Sequence, residues 1–181
     1  MKIGTVEIEL WDVEGVTGSG PPAVITERMV EVPLAQWFLQ QYGPDVVEVG
    51  AVTPYYYPDV RHSVVDPGDS WDGCRKEDAH NLDYSGKNLL SISTVEHIGN
   101  PELLLEKMFK ADKWLITWAA GYKKSLDAHV ESTGIPSLKV FRKEHSVWEL
   151  RDSIVDVPYD KPFPYGNAIY ILTNCEELLP S

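Results

Sequence analysis

The feature that most restricts how this chain can fold is a series of short apolar runs between residues 45 and 173. Several of these runs are rich in Val, Ile and Leu at nearly every position, which is typical of strands that are covered on both faces. The last two runs follow each other without an obvious helix between them, which favours an antiparallel end to the sheet. We predict strands over 45–52, 62–66, 88–93, 113–120, 138–143 and 167–173.

Two segments carry the signals of helices. The first begins near Thr26, a good N-cap, and ends at Gly43, while Pro33 in its middle indicates a kink or a later start. The second, residues 101–111, has Pro at its first position and Leu, Met and Phe on one face. Strands that alternate with helices predict an α/β domain with a mainly parallel sheet.

The residues ahead of the first helix form a short extension. Val6, Ile8 and Leu10 alternate with acidic residues, which predicts a half-exposed strand, and a turn-rich stretch follows up to Pro22. We therefore divide the chain into an N-terminal strand and turn extension, residues 1–25, and one domain, residues 26–181.

The charge and composition of the chain exclude several classes of protein. With 181 residues the chain has the size of one domain, and its net charge of −12 repels a phosphate backbone, so we predict no nucleic-acid partner. No apolar run approaches the ~20 residues of a membrane helix, and the acidic N-terminus is unlike a signal peptide. Cys74 and Cys175 form no CxxC pattern, so we expect a reduced, cytoplasmic setting without a disulfide framework.

No metal site is predicted from the sequence. The acidic residues between Asp66 and Asp78 lack the spacing of an EF-hand loop, and the five histidines show no HxH or HExxH pattern.

The candidate site starts where the first two buried runs end. Glu48 and Gly50 stand at the carboxyl end of the first run, and Asp66 ends the second. In open α/β sheets ligands bind outside the carboxyl ends of the strands, where a glycine allows a tight turn and an acid is placed to bond a ribose diol. A plain turn glycine and a solvated carboxylate remain the alternative. Trp71, nearby, is expected either to stack on an adenine or to pack within its loop.

Further along, the chain reads EDAHNL at 77–82 and NLLSISTVEHIG at 88–99. With these segments in this order, residues from about Glu27 to Thr173 resemble the class I S-adenosylmethionine-dependent methyltransferases. The resemblance implies a Rossmann-like, doubly wound, mainly parallel sheet with an antiparallel C-terminal strand pair, and S-adenosylmethionine as cofactor. The residues that it implies for cofactor binding are Glu48 and Gly50 for the methionine part, Asp66 for the ribose, Asp78 and Ala79 for the adenine, and the turn from Ser93 to His97.

The chain departs from the family in its glycine-rich turn. The family pattern is E/D-x-G-x-G-x-G, whereas this chain has Val52 and Pro54 at the second and third glycine positions. A member that has lost cofactor binding or catalysis, and serves as a binding or assembly module, is therefore the alternative hypothesis. An NAD-dependent oxidoreductase is disfavoured because GxGxxG is absent.

The resemblance implies methyl transfer to a small-molecule or glycan-type acceptor, and leaves a homo-oligomer open. A general base is needed only where the acceptor must lose a proton. Our candidates are His97, Tyr122 and Asp127, and a packed histidine is the alternative at position 97. Glu31, in the first helix, is expected to be a surface carboxylate, and the alternative is that it covers the site.

Overall fold

The computed structural model describes residues 1–9, 27–57, 59–143, 147–150 and 168–179. A two-residue hairpin opens the chain, with β1 at Lys2–Ile3 and β2 at Val6–Glu7. The strands of the main sheet are β3 Val46–Val49, β4 Ser63–Val65, β5 Asn88–Ile92, β6 Lys113–Ala119, β7 Ser137–Lys143, β8 Val147–Leu150 and β9 Ala168–Thr173. The helices are α1 Arg28–Tyr42, α2 Pro101–Met108 and α3 Lys124–Thr133.

The main sheet has the order β4-β3-β5-β6-β9-β7-β8. Strands β4, β3, β5 and β6 are parallel, whereas β9 lies antiparallel between β6 and β7, and β8 is antiparallel to β7. The chain leaves β3 toward β4 on one side and returns to β5 on the other, so the order reverses between β3 and β5. The predicted fold class, a mainly parallel doubly wound sheet with an antiparallel C-terminal pair, is confirmed.

Both faces of the sheet are covered. Leu89 of β5 and Ile116 of β6 point to the face covered by α2 and α3, whereas Leu90 and Leu115 point to the face covered by α1. This explains why the strands are apolar at consecutive positions: β6 is buried at six of its seven residues. Among the described helices, none combines the length and apolar content needed to cross a membrane.

The N-terminal hairpin belongs to the main core. Ile3, Val6 and Ile8 are buried against α1, and the Thr5 amide donates to the Glu177 carbonyl oxygen at 2.7 Å. The rest of the predicted extension, from residue 10 on, and Thr26 lie outside the described residues. Helix α1 begins at Arg28 and continues through Pro33, so the predicted later start is wrong.

In two places the described residues between consecutive strands form no α-helix, so the predicted alternation of strands and helices is interrupted there. Between β3 and β4 the described residues form only a 3₁₀ turn, Thr53–Tyr55, and between β4 and β5 only a second one, Ala79–Asn81. Ahead of the second 3₁₀ turn, Arg75 makes one isolated parallel bridge with Val65. Residues 124–133, for which no helix is predicted from the sequence, form α3. Their pattern is weak because only Leu126 and Val130 are buried.

Candidate functional site

A cavity of about 490 Å³ opens at the carboxyl ends of β3, β4 and β5, beside the point where the strand order reverses. This is the position at which open α/β sheets bind ligands, and the volume lies in the usual range of about 300–1,000 Å³. The predicted site residues that line it are Gly50, Asp66, Asp78, Ala79 and His97.

A glycine is required at position 50 for two reasons, its backbone conformation and the close approach of a neighbouring loop. Its φ is +88°, and a Cβ at this position would overlap the side chain of Thr94. Thr94 is held there because its hydroxyl donates to the Ile92 carbonyl oxygen at 2.8 Å. The glycine thus allows the turn after β3 to lie against the turn after β5, which forms the floor of the cavity.

Asp66 lines the cavity, and one of its two carboxylate oxygens is engaged within its own loop. Its Oδ1 accepts the backbone N–H groups of Gly68 at 2.8 Å and Asp69 at 3.0 Å, which fixes the side chain in a turn of its own. No residue in the described ranges bonds its Oδ2. That oxygen therefore remains as an acceptor for a ligand hydroxyl.

Trp71 has a packing role within this loop. Its ring lies so close to Gly73 that any Cβ there would overlap it, and it packs against the small cluster of Ala51, Val64 and Cys74. These contacts agree with packing within the loop, one of the two roles expected for Trp71. Cys74, in the same cluster, and Cys175 are both free and buried.

The opposite wall is formed by the second 3₁₀ turn. Asp78 caps this turn because its Oδ1 accepts the His80 N–H at 2.9 Å, and the Ala79 carbonyl oxygen accepts the Tyr84 hydroxyl at 2.8 Å. His80 Nε2 lies 2.7 Å from the Gly99 carbonyl oxygen, which ties the wall to the loop ahead of α2.

Glu48 does not line the cavity. It is fully buried, and its Oε1 accepts the N–H groups of Val52 at 3.0 Å and Thr53 at 2.8 Å. Its Oε2 accepts the Thr53 hydroxyl and lies 2.7 Å from His62 Nε2. The turn after β3, which lacks the second and third glycines of the family pattern, forms a 3₁₀ turn. The N–H groups at the start of this turn need an acceptor, and the Glu48 carboxylate supplies it.

Ser93 is engaged with a buried acid instead of the cavity. Its hydroxyl donates to Glu31 Oε1 at 2.8 Å, and the Thr117 hydroxyl donates to the same oxygen at 2.6 Å. Arg28 pairs with the other oxygen of Glu31 at 2.8 Å. The expectation that Glu31 is a surface carboxylate is wrong: it is fully buried, and burial raises its pKa although Arg28 opposes the shift.

His97 and Tyr122 lie side by side at the cavity mouth. Their ring centroids are 4.7 Å apart at 67°, and the His97 side chain is 54% exposed. Desolvation, with smaller effects from Arg28 and Lys123, lowers the pKa of His97, which favours the neutral ring, the form that accepts a proton. Within the part of the chain that the structure describes, the ring makes no hydrogen bond to a backbone carbonyl.

Asp127 is occupied in holding the loop after β6. Its Oδ1 accepts the Trp118 indole N–H at 2.9 Å, and its Oδ2 accepts the Gly121 N–H at 2.8 Å. Burial raises its pKa. Both oxygens are thus engaged, and the residue orients the loop that carries Tyr122.

Glu96 was not among the predicted site residues, although the sequence places it next to His97. It is 4% exposed, and burial raises its pKa to about 8. The described residues contain no group of three or more His, Cys, Asp or Glu side chains that could hold a metal ion.

No family model matches the sequence, and no curated protein matches it. Among the solved structures to which the chain is similar, three carry the following descriptions. A possible histamine N-methyltransferase from Thermotoga maritima, described as S-adenosylmethionine-dependent, has 15% identity over 82% of this chain and 97% of that one, with a TM-score of 0.45.

The second, magnesium protoporphyrin IX methyltransferase from Synechocystis with bound S-adenosylmethionine, has 8% identity over 86% of each chain and a TM-score of 0.43. The third, an S-adenosylmethionine-dependent O-methyltransferase from Thermotoga maritima, has 9% identity over 77% of this chain and 63% of that one, with a TM-score of 0.42. These values are too low to transfer an activity or a site residue. The strand order of the chain is nevertheless the mainly parallel arrangement, with an antiparallel C-terminal pair, that the sequence resemblance implies.

Proposed function

We propose that the protein is an S-adenosylmethionine-dependent methyltransferase that acts on a small-molecule or glycan-type acceptor. The observation that carries the proposal is the cavity at the reversal of strand order, where Asp66 offers an unengaged carboxylate oxygen opposite the wall of Asp78 and Ala79. The net charge of −12 supports an acceptor other than a nucleic acid.

The residues present fit the adenosyl part of the cofactor. In the proposal Asp66 Oδ2 accepts a ribose hydroxyl, and Asp78 and Ala79 lie beside the base. Glu48 acts indirectly, because it holds the turn that follows Gly50. When bound, S-adenosylmethionine supplies a methyl group activated by its sulfonium, so the chain has mainly to orient the acceptor and exclude water.

His97 is the proposed proton acceptor. Its neutral ring lies at the cavity and contacts Tyr122, so an acceptor bound between cavity and solvent would meet both side chains. Asp127 contributes through the loop that carries Tyr122.

The test of the proposal is a thermal shift experiment with S-adenosylhomocysteine, the product of the cofactor, and NAD as comparison. A ligand that binds only the native state raises the melting temperature by mass action, so we expect a shift with S-adenosylhomocysteine and none with NAD. No shift at millimolar S-adenosylhomocysteine, with the protein folded, would contradict the proposal.

Asp66→Asn is expected to weaken S-adenosylhomocysteine binding by about 1.5–3 kcal/mol, the scale of a hydrogen bond to a charged group. Asn keeps the Oδ1 that bonds Gly68 and Asp69, so the loop should remain folded. Calorimetric titration of the wild type and the variant measures the difference, with Asp59→Asn, an exposed acid outside the cavity, as the control. Equal affinities for all three proteins would show that Asp66 does not bind the ribose.

A non-catalytic binding module is the second candidate, and the closed turn after β3 favours it. His97→Gln separates the two. If His97 takes a proton from the acceptor, turnover should fall by about 10²–10⁴ while cofactor affinity stays unchanged. An acceptor is first found by screening sugars, amines and carboxylates. Unchanged turnover per folded molecule would remove His97 from the mechanism, and binding without turnover of any acceptor would favour the module.

A further inference from the structure

A second cavity, of about 550 Å³, lies between α1 and the loop ahead of β4. Parallel strands are usually joined through a crossover helix, but between the parallel strands β3 and β4 the described residues form only the 3₁₀ turn Thr53–Tyr55. The cavity lies between this connection and the end of α1, and its volume is within the range of about 300–1,000 Å³ that small-molecule sites have. Gln36 and Gln40, both exposed, are among its lining residues, so the cavity is open to solvent.

His62 brings a polar ring nitrogen to this cavity. The residue lines the cavity, and its Nε2 is turned to the fully buried Glu48, 2.7 Å from Oε2. No residue in the described ranges bonds its Nδ1. Among the described residues, Glu96 Oε2 is the one buried side-chain nitrogen or oxygen atom that lacks a partner. The unbonded Nδ1 of His62 is therefore not a buried atom, and solvent reaches it.

The hydrogen bonds around Glu48 decide which nitrogen of the ring carries the hydrogen. The N–H groups of Val52 and Thr53 donate to Oε1, and the Thr53 hydroxyl donates to Oε2. A carboxylate that receives three donors acts as an acceptor, so His62 faces it with Nε2–H. The Thr53 hydroxyl oxygen, 3.2 Å from the same nitrogen, is a second acceptor. In the neutral ring Nδ1 is then the acceptor nitrogen, and a ligand has to supply the donor.

The rest of the described lining is mainly apolar and carries no unpaired charge. Apolar groups are contributed by Leu39, Pro44, Tyr57 and Val60. Asp59 and Arg61 neutralise each other, because Arg61 Nε donates to Asp59 Oδ2 at 2.9 Å. A charged ligand would lose its hydration here without gaining an ion-pair partner, so the cavity favours an uncharged, apolar ligand.

We propose that the second cavity binds an uncharged aromatic molecule with a hydroxyl group, a phenol, whose O–H donates to His62 Nδ1. The Glu48 carboxylate holds the imidazole in place, so the acceptor is oriented before the ligand arrives. The ring of the ligand contacts the apolar walls, among them the aromatic ring of Tyr57. A phenolic hydroxyl is more acidic than an aliphatic one and is therefore the better donor. The second cavity shares no lining residue with the proposed cofactor cavity, so the inference does not depend on the methyltransferase proposal.

The test is a titration of the ¹⁵N-labelled protein with phenol, anisole and benzoate, followed by NMR. Anisole keeps the ring of phenol without the O–H donor, and benzoate replaces the hydroxyl by a charged group. We expect phenol to shift the amide signals of Gln40, Gly43 and Val60 and the Nδ1 signal of His62. It should bind about tenfold tighter than anisole or benzoate, the effect of one buried hydrogen bond. Equal binding of phenol and anisole, or no shift of these signals at millimolar phenol, would overturn the inference.

The variant Gln40→Trp places a large ring in the cavity from its exposed side and leaves His62 and Glu48 unchanged. We expect it to abolish phenol binding, whereas Gln41→Trp, also exposed on α1 but outside the lining, should bind phenol like the wild type. Phenol binding that survives in Gln40→Trp would place the ligand elsewhere and overturn the inference. Phenol and anisole are compared on the wild type, so the inference remains testable if a variant does not fold.

S-adenosylhomocysteine is titrated against the same samples. Both substitutions lie outside the cavity at the carboxyl ends of β3, β4 and β5, so it should bind the variants and the wild type alike. If it binds and phenol does not, the inference about the second cavity fails while the methyltransferase proposal stands. If phenol binds and S-adenosylhomocysteine does not, the second cavity is supported and the methyltransferase proposal is refuted.

Discussion

Gly50→Ala should lower the free energy of unfolding by about 2–5 kcal/mol, the sum of a left-handed backbone and an overpacked contact. The φ of +88° is costly for any residue with a Cβ. The added methyl group would also overlap the Thr94 side chain, which its own hydrogen bond to Ile92 holds in place. Urea denaturation, with the slope of the transition checked for constancy, measures the loss.

Gly86→Ala is the matched control for this substitution. Gly86 also has a positive φ, +68°, but a Cβ there would meet nothing within 4 Å. Its substitution should therefore cost only the backbone part, about 1–2 kcal/mol. Equal losses at the two glycines would show that the close approach of Thr94 to Gly50 does not contribute. Thr94→Ala should in turn recover part of the loss in Gly50→Ala.

Glu48→Ala is expected to destabilise the protein by about 3–5 kcal/mol, the usual cost of removing one partner from a buried ion pair or network. The substitution leaves the N–H groups of Val52 and Thr53 and the ring of His62 without their acceptor. His62 itself is 5% exposed, so water cannot fully replace the carboxylate. Chemical denaturation measures the effect.

Glu77→Ala provides the comparison for this prediction. Glu77 pairs with Arg75 at 2.8 Å, but both side chains are about half exposed. Exposed pairs contribute about 0–1 kcal/mol, so this variant should be near wild type. A similar small loss for Glu48→Ala would mean that the turn after β3 does not depend on the buried carboxylate.

The sequence predicts the strands of the sheet well because strands that are buried on both faces are apolar at consecutive positions. β6 and β9 are apolar at almost every position, and their bounds differ from the predicted ones by one residue. Helix α3 has a weaker apolar pattern in the sequence, since only Leu126 and Val130 are buried. The 3₁₀ turn that stands in place of a helix between β3 and β4 could not be predicted. It depends on hydrogen bonds to the Glu48 carboxylate, which the spacing of residues in the sequence does not reveal.

The same distinction holds for the candidate site. Gly50, Asp66 and His97 reach the cavity because they follow strands whose carboxyl ends meet at one edge of the sheet. Ser93 and Glu31 could not be placed from the sequence, since they bond across 62 positions of the chain. The end of a strand is a local property, whereas the partner of a buried carboxylate is fixed only by the tertiary structure.

The most direct test of the proposed cofactor site is a titration of the ¹⁵N-labelled protein with S-adenosylhomocysteine, followed by backbone amide shifts. We expect changes at the cavity, at Gly50, Gly68, Ala79 and Gly99. We expect none at the second cavity of about 550 Å³, between α1 and the loop ahead of β4, which Gln40 and Val60 line. Changes confined to the second cavity, or no changes at all, would contradict the proposed cofactor site.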